Sequence, residues 1–282
     1  MNHWFKNRYS PHTVLNIKIK KTLFKGSSDY QKIEILESHD FGRMLVLDGI
    51  VNVSEKDEFI YHEMMVHVPL FTHPNPKTVL VIGGGDGGVV RELSKHPQIK
   101  RIDLVEIDSM VVEKCKRFLP GVSVGFKEPR LKVYYDDGVQ FVKNKENFYD
   151  VIIVDSPDPI GAGKRLFQNN FYNCCLLSLK EDGLLTAQSE TPTFQKEFKI
   201  MKSMHKKMNS IFPIVKIFTA CVPSYSPGIW CFSFCSKKYD PLVDFQEKRY
   251  KKLSLKNRYY NADIHLASLA LPNFIRKGFC NL

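Results

Sequence analysis

No run of 18 or more apolar residues occurs in the 282-residue chain, which excludes a membrane-spanning helix. The opening MNHWFKNRYSPHTVLN lacks an apolar core and a small-residue cleavage site, so it does not read as a secretory leader. Cysteine is sparse and poorly spaced. The seven, an odd number, stand at 115, 174, 175, 221, 231, 235 and 280, and none forms a CxxC pair. That pattern argues against a disulfide framework or a zinc site and predicts buried free thiols in a reducing cytoplasm. Long blocks of one charge are missing too. Lys and Arg outnumber Asp and Glu by 41 to 30, a net +11, but the basic residues are scattered as KIKK, KCKR and KRYKK, with no nucleic-acid motif. A lysine-rich solvated surface is expected rather than a nucleic-acid partner. What remains is ordinary for a globular protein: 43% hydrophobic and 25% charged residues, on a chain long enough to bury a core unaided.

The first sixty or so residues read as a small antiparallel β unit. Ile17-Lys18-Ile19-Lys20 alternates, a Gly-Ser-Ser break follows at 26–28, and Tyr30 to Leu36 and Arg43 to Leu47 are further strands. Asp48-Gly49 is a hairpin turn before Ile50-Val51-Asn52-Val53. Ser54-x-x-Asp57 resembles a capping box opening a helix that ends near Pro69. His73-Pro74-Asn75-Pro76 reads as a rigid linker, dividing the chain into an N-terminal β domain, 1–72, and a catalytic domain, 73–282. Beyond it strands and helices alternate, starting with the apolar run Thr78 to Ile82. The pattern predicts an α/β fold: a Rossmann-like, doubly wound, methyltransferase-type sheet.

Chemistry concentrates at the predicted strand ends. Gly83-Gly84-Gly85-Asp86-Gly87-Gly88 lies between a buried strand and a helix, where glycines permit close approach of a ligand. Glu106 closes the next strand, 21 residues beyond Gly85, a spacing that suits a carboxylate on both ribose hydroxyls. Asp137-Gly138 follows the third strand, within reach of an adenine edge. The loop carries an aspartate and no GK[ST] ending, so a polyphosphate would meet negative charge. Asp86 instead suits an ammonium, and it would repel a donor that keeps its carboxylate. Asp155-Ser156-Pro157-Asp158-Pro159 places two carboxylates three apart on another strand-end loop, suited to a polyamine ammonium or, more plainly, to a turn. No His/Cys/Asp set with metal-ligand spacing is visible.

These segments resemble those of the polyamine aminopropyltransferases, the spermidine synthase family. The likeness runs from Tyr30-Gln31 through DEFIYHEM (57–64), HPNPKTVLVIGGGDGGVVRE (73–92), VEID (105–108), DDG (136–138), DSPDP (155–159), AQSE (187–190) and PSY (223–225) to NRYYNADIHLASLALPNF (257–274). It implies transfer of the aminopropyl group of decarboxylated S-adenosylmethionine, a co-substrate rather than a tightly bound cofactor, to putrescine. Spermidine and methylthioadenosine would be the products. Agmatine, cadaverine or spermidine as acceptor, a putrescine N-methyltransferase, and a non-catalytic polyamine or nucleic-acid binder are the alternatives.

The resemblance assigns Gln31, Asp86, Glu106, Asp137, Gly138 and the backbone of Ala162 to the donor or its product. It assigns Tyr61, His62, Asp86, Asp155, Asp158, Gln188 and Tyr225 to the diamine, and Asp155 to the catalytic base. Plainer readings are core aromatics for Tyr61 and Tyr225, a hydrogen-bonded helix histidine for His62 and a strand-end hydrogen bonder for Gln188. Two positions depart from the family: Pro157 replaces Ser or Thr, and Gly161-Ala162-Gly163 replaces Gly-Pro-Ala. Both are expected to alter loop mobility or substrate range rather than abolish activity. The β unit reads as having too few strands to bury both faces alone, which predicts pairing with a partner subunit in a homodimer or homotetramer.

Overall fold

The computed structural model describes residues 3–156, 161–225 and 228–279, with backbone alone at 161, 162 and 164. The N-terminal segment forms five strands, each antiparallel to the next: β1 (Trp4–Ser10), β2 (Thr13–Ser27), β3 (Lys32–Ser38), β4 (Arg43–Leu47) and β5 (Ile50–Ser54). β1 escapes sequence patterning because polar Asn7, between half-buried Phe5 and Tyr9, is itself fully buried. The sheet coils until Asn7 Oδ1 accepts the Val51 amide of β5 at 3.3 Å. It thereby encloses Ile17, Ile19, Leu36, Met44, Val46 and Val51 on one side. Ile33, Ile35, Leu45, Leu47 and Val53 pack on the other side against Val111, Cys115 and Leu119. The unit by itself does not bury both faces: its own curl covers one, and the rest of the same chain covers the other.

Helix α1 (Glu58–Thr72) follows, and two expectations about its ends change. Asp57 is the N-cap residue but makes no cap bond with its side chain. Its carboxylate instead accepts from Ser54 Oγ (2.7 Å) and from the amide (2.7 Å) and hydroxyl (2.8 Å) of Ser224. Nor does Pro69 end the helix, since it lies inside the last turn. Its missing N–H costs one internal bond, and the end is secured from elsewhere. Thr72 Oγ1 donates to the Val68 carbonyl at 2.8 Å, and the Arg249 guanidinium donates to the carbonyls of Leu70, His73 and Pro74.

The remaining elements are β6 (Thr78–Gly83), α2 (Gly88–Ser94), β7 (Arg101–Glu106), α3 (Ser109–Phe118), β8 (Leu131–Tyr135), α4 (Gly138–Lys143), β9 (Tyr149–Asp155), α5 (Asn169–Ser178), β10 (Leu179–Gln188), α6 (Gln195–Asn209), β11 (Ile214–Ala220), β12 (Trp230–Ser236), and three short helices, α7 (Glu247–Leu253), α8 (Ala262–Ala267) and α9 (Asn273–Phe279). The seven-stranded sheet runs β11-β12-β10-β9-β6-β7-β8. β6 to β10 are parallel, and β12 is antiparallel to both its neighbours. Helices cover both faces, which is why the strands read as continuous apolar runs. Val79, Val81, Leu104 and Ile153 face the core that contains α1 and α2; Leu80, Ile82, Val105 and Ile152 face α4, α5 and α6. The chain winds outward from β6 to β8, then returns to β9 on the other side of β6. The carboxyl ends of β6 and β9 are therefore the topological switch point, where open α/β sheets place ligands.

Four of the six described cysteines, 115, 175, 231 and 235, are buried thiols; Cys174 is half-buried, Cys221 is exposed, and Cys280 lies outside the described residues. Among the described residues no helix is long and apolar enough to cross a membrane.

Candidate active site

At the switch point Gly83 and Asp155 sit side by side in the ladder of β6 and β9. Gly83 has a φ of +82°, and a Cβ there would lie 2.0 Å from the Asp155 carbonyl oxygen, so only glycine lets the two strands end together. The Asp155 side chain then projects into the crevice. Its Oδ1 accepts from the Tyr61 hydroxyl at 2.7 Å, while Oδ2 is buried with no hydrogen-bond partner among the described residues. Burial pushes the Asp155 carboxyl up to about 6, aided by the Asp86 charge and opposed by His62 and the Tyr61 hydrogen bond. A buried carboxylate at the end of a parallel strand, with one oxygen oriented and the other available, can accept a proton or hold a cation.

Asp86, on the glycine-rich loop, is also buried. Its Oδ1 accepts the Gly88 amide at 2.6 Å and faces His62 Nε2 at 3.2 Å. The other ring nitrogen, Nδ1, lies 2.5 Å from Glu58 Oε2, and Glu58 is gripped by Nη1 and Nη2 of Arg91, each at 2.8 Å. Burial works against a charged imidazole, but Asp86 and Glu58 outweigh it and push His62 up to about 10. Burial alone would raise the Glu58 and Asp86 carboxyls; the His62 and Arg91 contacts on Glu58, and the His62 and Gly88 contacts on Asp86, hold both below their usual range. The four side chains form an alternating buried line, Arg91⁺, Glu58⁻, His62⁺, Asp86⁻.

His62 therefore stands in this structure as an imidazolium with both N–H groups committed. One atom each from His62, Asp86 and Asp155 lies within 4.8 Å of the others. The cluster suits an organic cation held by carboxylates. A second grouping, His73, Asp150 and Asp182, is a poor metal site: His73 Nδ1 accepts the Asn75 amide, which leaves its proton on Nε2, and Lys180 already occupies Asp150 at 2.9 Å.

The line depends on Gly88. A Cβ at that position would stand 2.3 Å from His62 Cε1 and 2.4 Å from Nδ1. Gly88→Ala is expected to displace the ring, part it from Asp86 and destabilise the fold by about 1–3 kcal/mol, the usual cost of overpacking. The denaturant midpoint and the ¹⁵N shifts of His62 measure this. Wild-type stability with an unmoved ring would mean that α2 yields instead.

Glu106 ends β7, beside Asp155 and Gly85. Its Oε1 accepts the Asp108 amide at 2.9 Å, and a Cβ at Gly85 would touch Oε2. Burial pushes Glu106 up to about 7, with the backbone amide of Asp108 opposing and the Asp108 and Asp155 charges adding to it. Asp137 caps α4, accepting the Val139 amide at 2.8 Å, and its other oxygen takes Arg165 Nη1 at 2.5 Å. Gly138 packs its Cα toward Ile82, where a Cβ would come within 2.5 Å of Cγ2.

Gln31 arrives from the N-terminal sheet. Its Nε2 donates to Asp108 Oδ2 at 2.8 Å, an oxygen shared with the Ser28 hydroxyl at 2.6 Å. Asp108, not singled out in the sequence, thus joins Gln31 to the end of β7. Only its place in VEID, two residues after Glu106, hinted at a role.

On the other side, Tyr61 is 95% buried between Tyr225 and Phe232, with ring centroids at 5.8 Å and 5.2 Å. Gln188, at the end of β10, has its Oε1 on the Glu190 amide at 3.1 Å and its Nε2 buried without a hydrogen-bond partner among the described residues. Asp158 and Pro157 lie outside the described residues, and Ala162 is described only by its backbone, in the 3-10 turn Gly161–Phe167.

Residues 58–247 match the family model of the spermine/spermidine synthase domain, and residues 3–55 that of the spermidine synthase tetramerisation domain. The chain is 46% identical over 277 residues to the polyamine aminopropyltransferase of Alkaliphilus oremlandii, covering 98% of each chain. It is 47% identical over 275 residues to that of Clostridium botulinum, covering 98% of this chain and 97% of the relative. Among solved structures, a spermidine synthase in complex with the transition state analogue AdoDATO superposes with a TM-score of 0.96 at 40% identity, covering 99% of this chain and 96% of that one. The spermidine synthase from Thermotoga maritima superposes with a TM-score of 0.93 at 38% identity, covering 99% and 95%.

Proposed function

Because the chain belongs to the spermine/spermidine synthase family of polyamine aminopropyltransferases, we propose that it transfers the aminopropyl group of decarboxylated S-adenosylmethionine to putrescine. The observation that carries this reading is the buried Oδ2 of Asp155, unpartnered among the described residues, beside a second buried carboxylate, Asp86, at the switch point. Such a pair favours cations and disfavours a donor that retains its own carboxylate.

In the reaction a primary amine of putrescine attacks the aminopropyl carbon bonded to sulfur. The N–C bond forms, the C–S bond breaks with its electron pair going to sulfur, and neutral methylthioadenosine leaves. The proton lost by the nitrogen passes to Asp155 Oδ2. The sulfonium is already a good leaving group, so the protein's tasks are positioning and deprotonation. The Tyr61 hydroxyl orients Asp155 from behind. Glu106 accepts the ribose hydroxyls, and Gln31, Asp137 and Gly138 flank the adenosine. Asp86 takes the donor's ammonium, and His62, committed to Glu58 and Asp86, holds that carboxylate ionised. Tyr225, Gln188 and Asp158 receive the acceptor. The match of residues 3–55 to a tetramerisation domain supports a homodimer or homotetramer as the working form.

Mass-spectrometric product analysis tests the reading, with decarboxylated S-adenosylmethionine and, in parallel, ordinary S-adenosylmethionine as donor, against an equimolar mixture of putrescine, cadaverine, agmatine and spermidine. Spermidine and methylthioadenosine are expected to dominate. Another aminopropylated amine would replace the acceptor, and methyl transfer from ordinary S-adenosylmethionine would overturn the reading of Asp86.

A further inference from the structure

Tyr225 stands between Tyr61 and Trp230, with ring centroids 5.8 Å and 5.0 Å away, and so forms a wall beside the Tyr61–Asp155 pair. It is not part of a strand or helix: it follows a turn in which its amide bonds the Val222 carbonyl at 3.0 Å. What holds it comes largely from the other end of the chain. Its hydroxyl donates to the Asn52 carbonyl of β5, and its own carbonyl accepts from the Tyr9 hydroxyl of β1. The Ser224 carbonyl lies 3.1 Å from the Tyr9 hydroxyl, and Asn7 Nδ2 donates to that hydroxyl at 2.8 Å. Asn7 is fully buried and its other side-chain atom is fixed by the Val51 amide, so the donor chain from Asn7 through Tyr9 to the 224–225 backbone is rigid at its root. The Asp57 carboxylate clamps Ser224 by its amide and hydroxyl. Tyr9 in turn stacks on Phe194, centroids 6.4 Å apart.

We propose that the N-terminal sheet sets the acceptor pocket's length: Tyr9, supported by Asn7, is a positioning residue that fixes the Tyr225 wall and thereby selects among diamines. The inference rests on the reading of Tyr225 as part of the acceptor site. A loop wall tied at both its hydroxyl and its backbone cannot retreat to admit an extra methylene, and a pocket held so closely discriminates by about 10-fold or more per methylene. Releasing one tie lets the wall give, and discrimination falls, while the adenosine side, at Gln31 and the ends of β6, β7 and β8, keeps its own bonds.

The test is a competition between putrescine and cadaverine for the full-length enzyme, wild type against Tyr9→Phe, which keeps the ring and removes the hydroxyl. The ratio of products does not depend on the fraction of active protein. The ratio is expected to shift toward cadaverine by about fivefold, putrescine KM to rise, and methylthioadenosine affinity by calorimetry to stay within about twofold. Asn7→Ala is expected to shift the ratio in the same direction by less, and it carries the test if Tyr9→Phe is not recovered folded. An unchanged ratio in both variants, whatever the stability, would reduce Tyr9 to a packing contact and overturn the proposal. A wild-type enzyme that uses neither diamine would overturn the acceptor reading beneath it.

Discussion

Asp155→Asn is expected to lower kcat by about a thousandfold while leaving methylthioadenosine affinity within about threefold, the loss appropriate to removing a positioned general base. The substitution is close to isosteric and keeps an oxygen for the Tyr61 hydroxyl, so the crevice retains its shape. What disappears is the unpartnered Oδ2 as proton acceptor. An ordinary aspartate is a poor base toward an alkylammonium, but burial and the Asp86 charge lift Asp155 to about 6, which makes it a better acceptor while leaving it ionised at neutral pH. In the wild type kcat/KM, which reports the free enzyme, should therefore rise with pH through about 6. Single-turnover kinetics with saturating donor measures the step. Near-normal turnover in the variant would move the role of base to another group.

The second large effect concerns Glu106. Glu106→Gln is expected to weaken donor and methylthioadenosine binding by about 100-fold, since hydrogen bonds to a charged acceptor contribute about 1.5–3 kcal/mol each and two ribose hydroxyls are at stake. Its pH behaviour adds a sharper signature. With Glu106 pushed up to about 7 in the free protein, much of it is protonated at pH 6 and must lose that proton to accept both hydroxyls. Wild-type affinity should fall about 10-fold from pH 8 to pH 6, and the variant should be nearly flat.

The same group acts on stability in the opposite sense. Below the unfolded pKa of Glu106 both states are protonated. As pH rises from there through about 7, the unfolded chain gives up the proton before the folded one, so the folded state loses relative stability. Ligand-free Glu106→Gln should consequently melt higher than the wild type at pH 8, although it binds donor worse. Such a trade of stability for binding is common at active sites. Calorimetric titrations at pH 6 and 8, with melting curves of both proteins, measure all three effects. Unchanged donor affinity in the variant would refute the ribose assignment.

Much of the site lies in local sequence order. A buried parallel strand must end in a turn, the helix after it must cover the sheet, and the switch point follows from alternation of strand and helix. Gly83–Gly88, Glu106, Asp137 and Asp155 therefore fall at neighbouring strand ends, where period and punctuation alone predict them. Local pattern misleads where a side chain is taken by a distant partner. Asp57 has the spacing of a capping box, yet its carboxylate serves Ser224, 167 residues away. Pro69 looks like a helix end and is not, because Arg249 supplies the terminal carbonyls with donors. β1 is hidden because its central inward residue is Asn7, whose burial is tolerable only with Tyr9, Ser224 and Val51 as partners.

Residue types and their order along the chain by themselves determined the layered fold, the carboxylates at its switch point and the cationic character of what they attract. Tertiary structure alone decided the states of those groups. His62 is an imidazolium because Glu58 lies one turn back and Asp86 meets it across the crevice. Asp155 has one oriented and one available oxygen because Tyr61 reaches it from 94 residues away. The loop at Ser224 and Tyr225 is tied to a strand more than 200 residues earlier. Protonation and reach depend on burial and on charges brought together by the whole fold, and no window of sequence contains both partners.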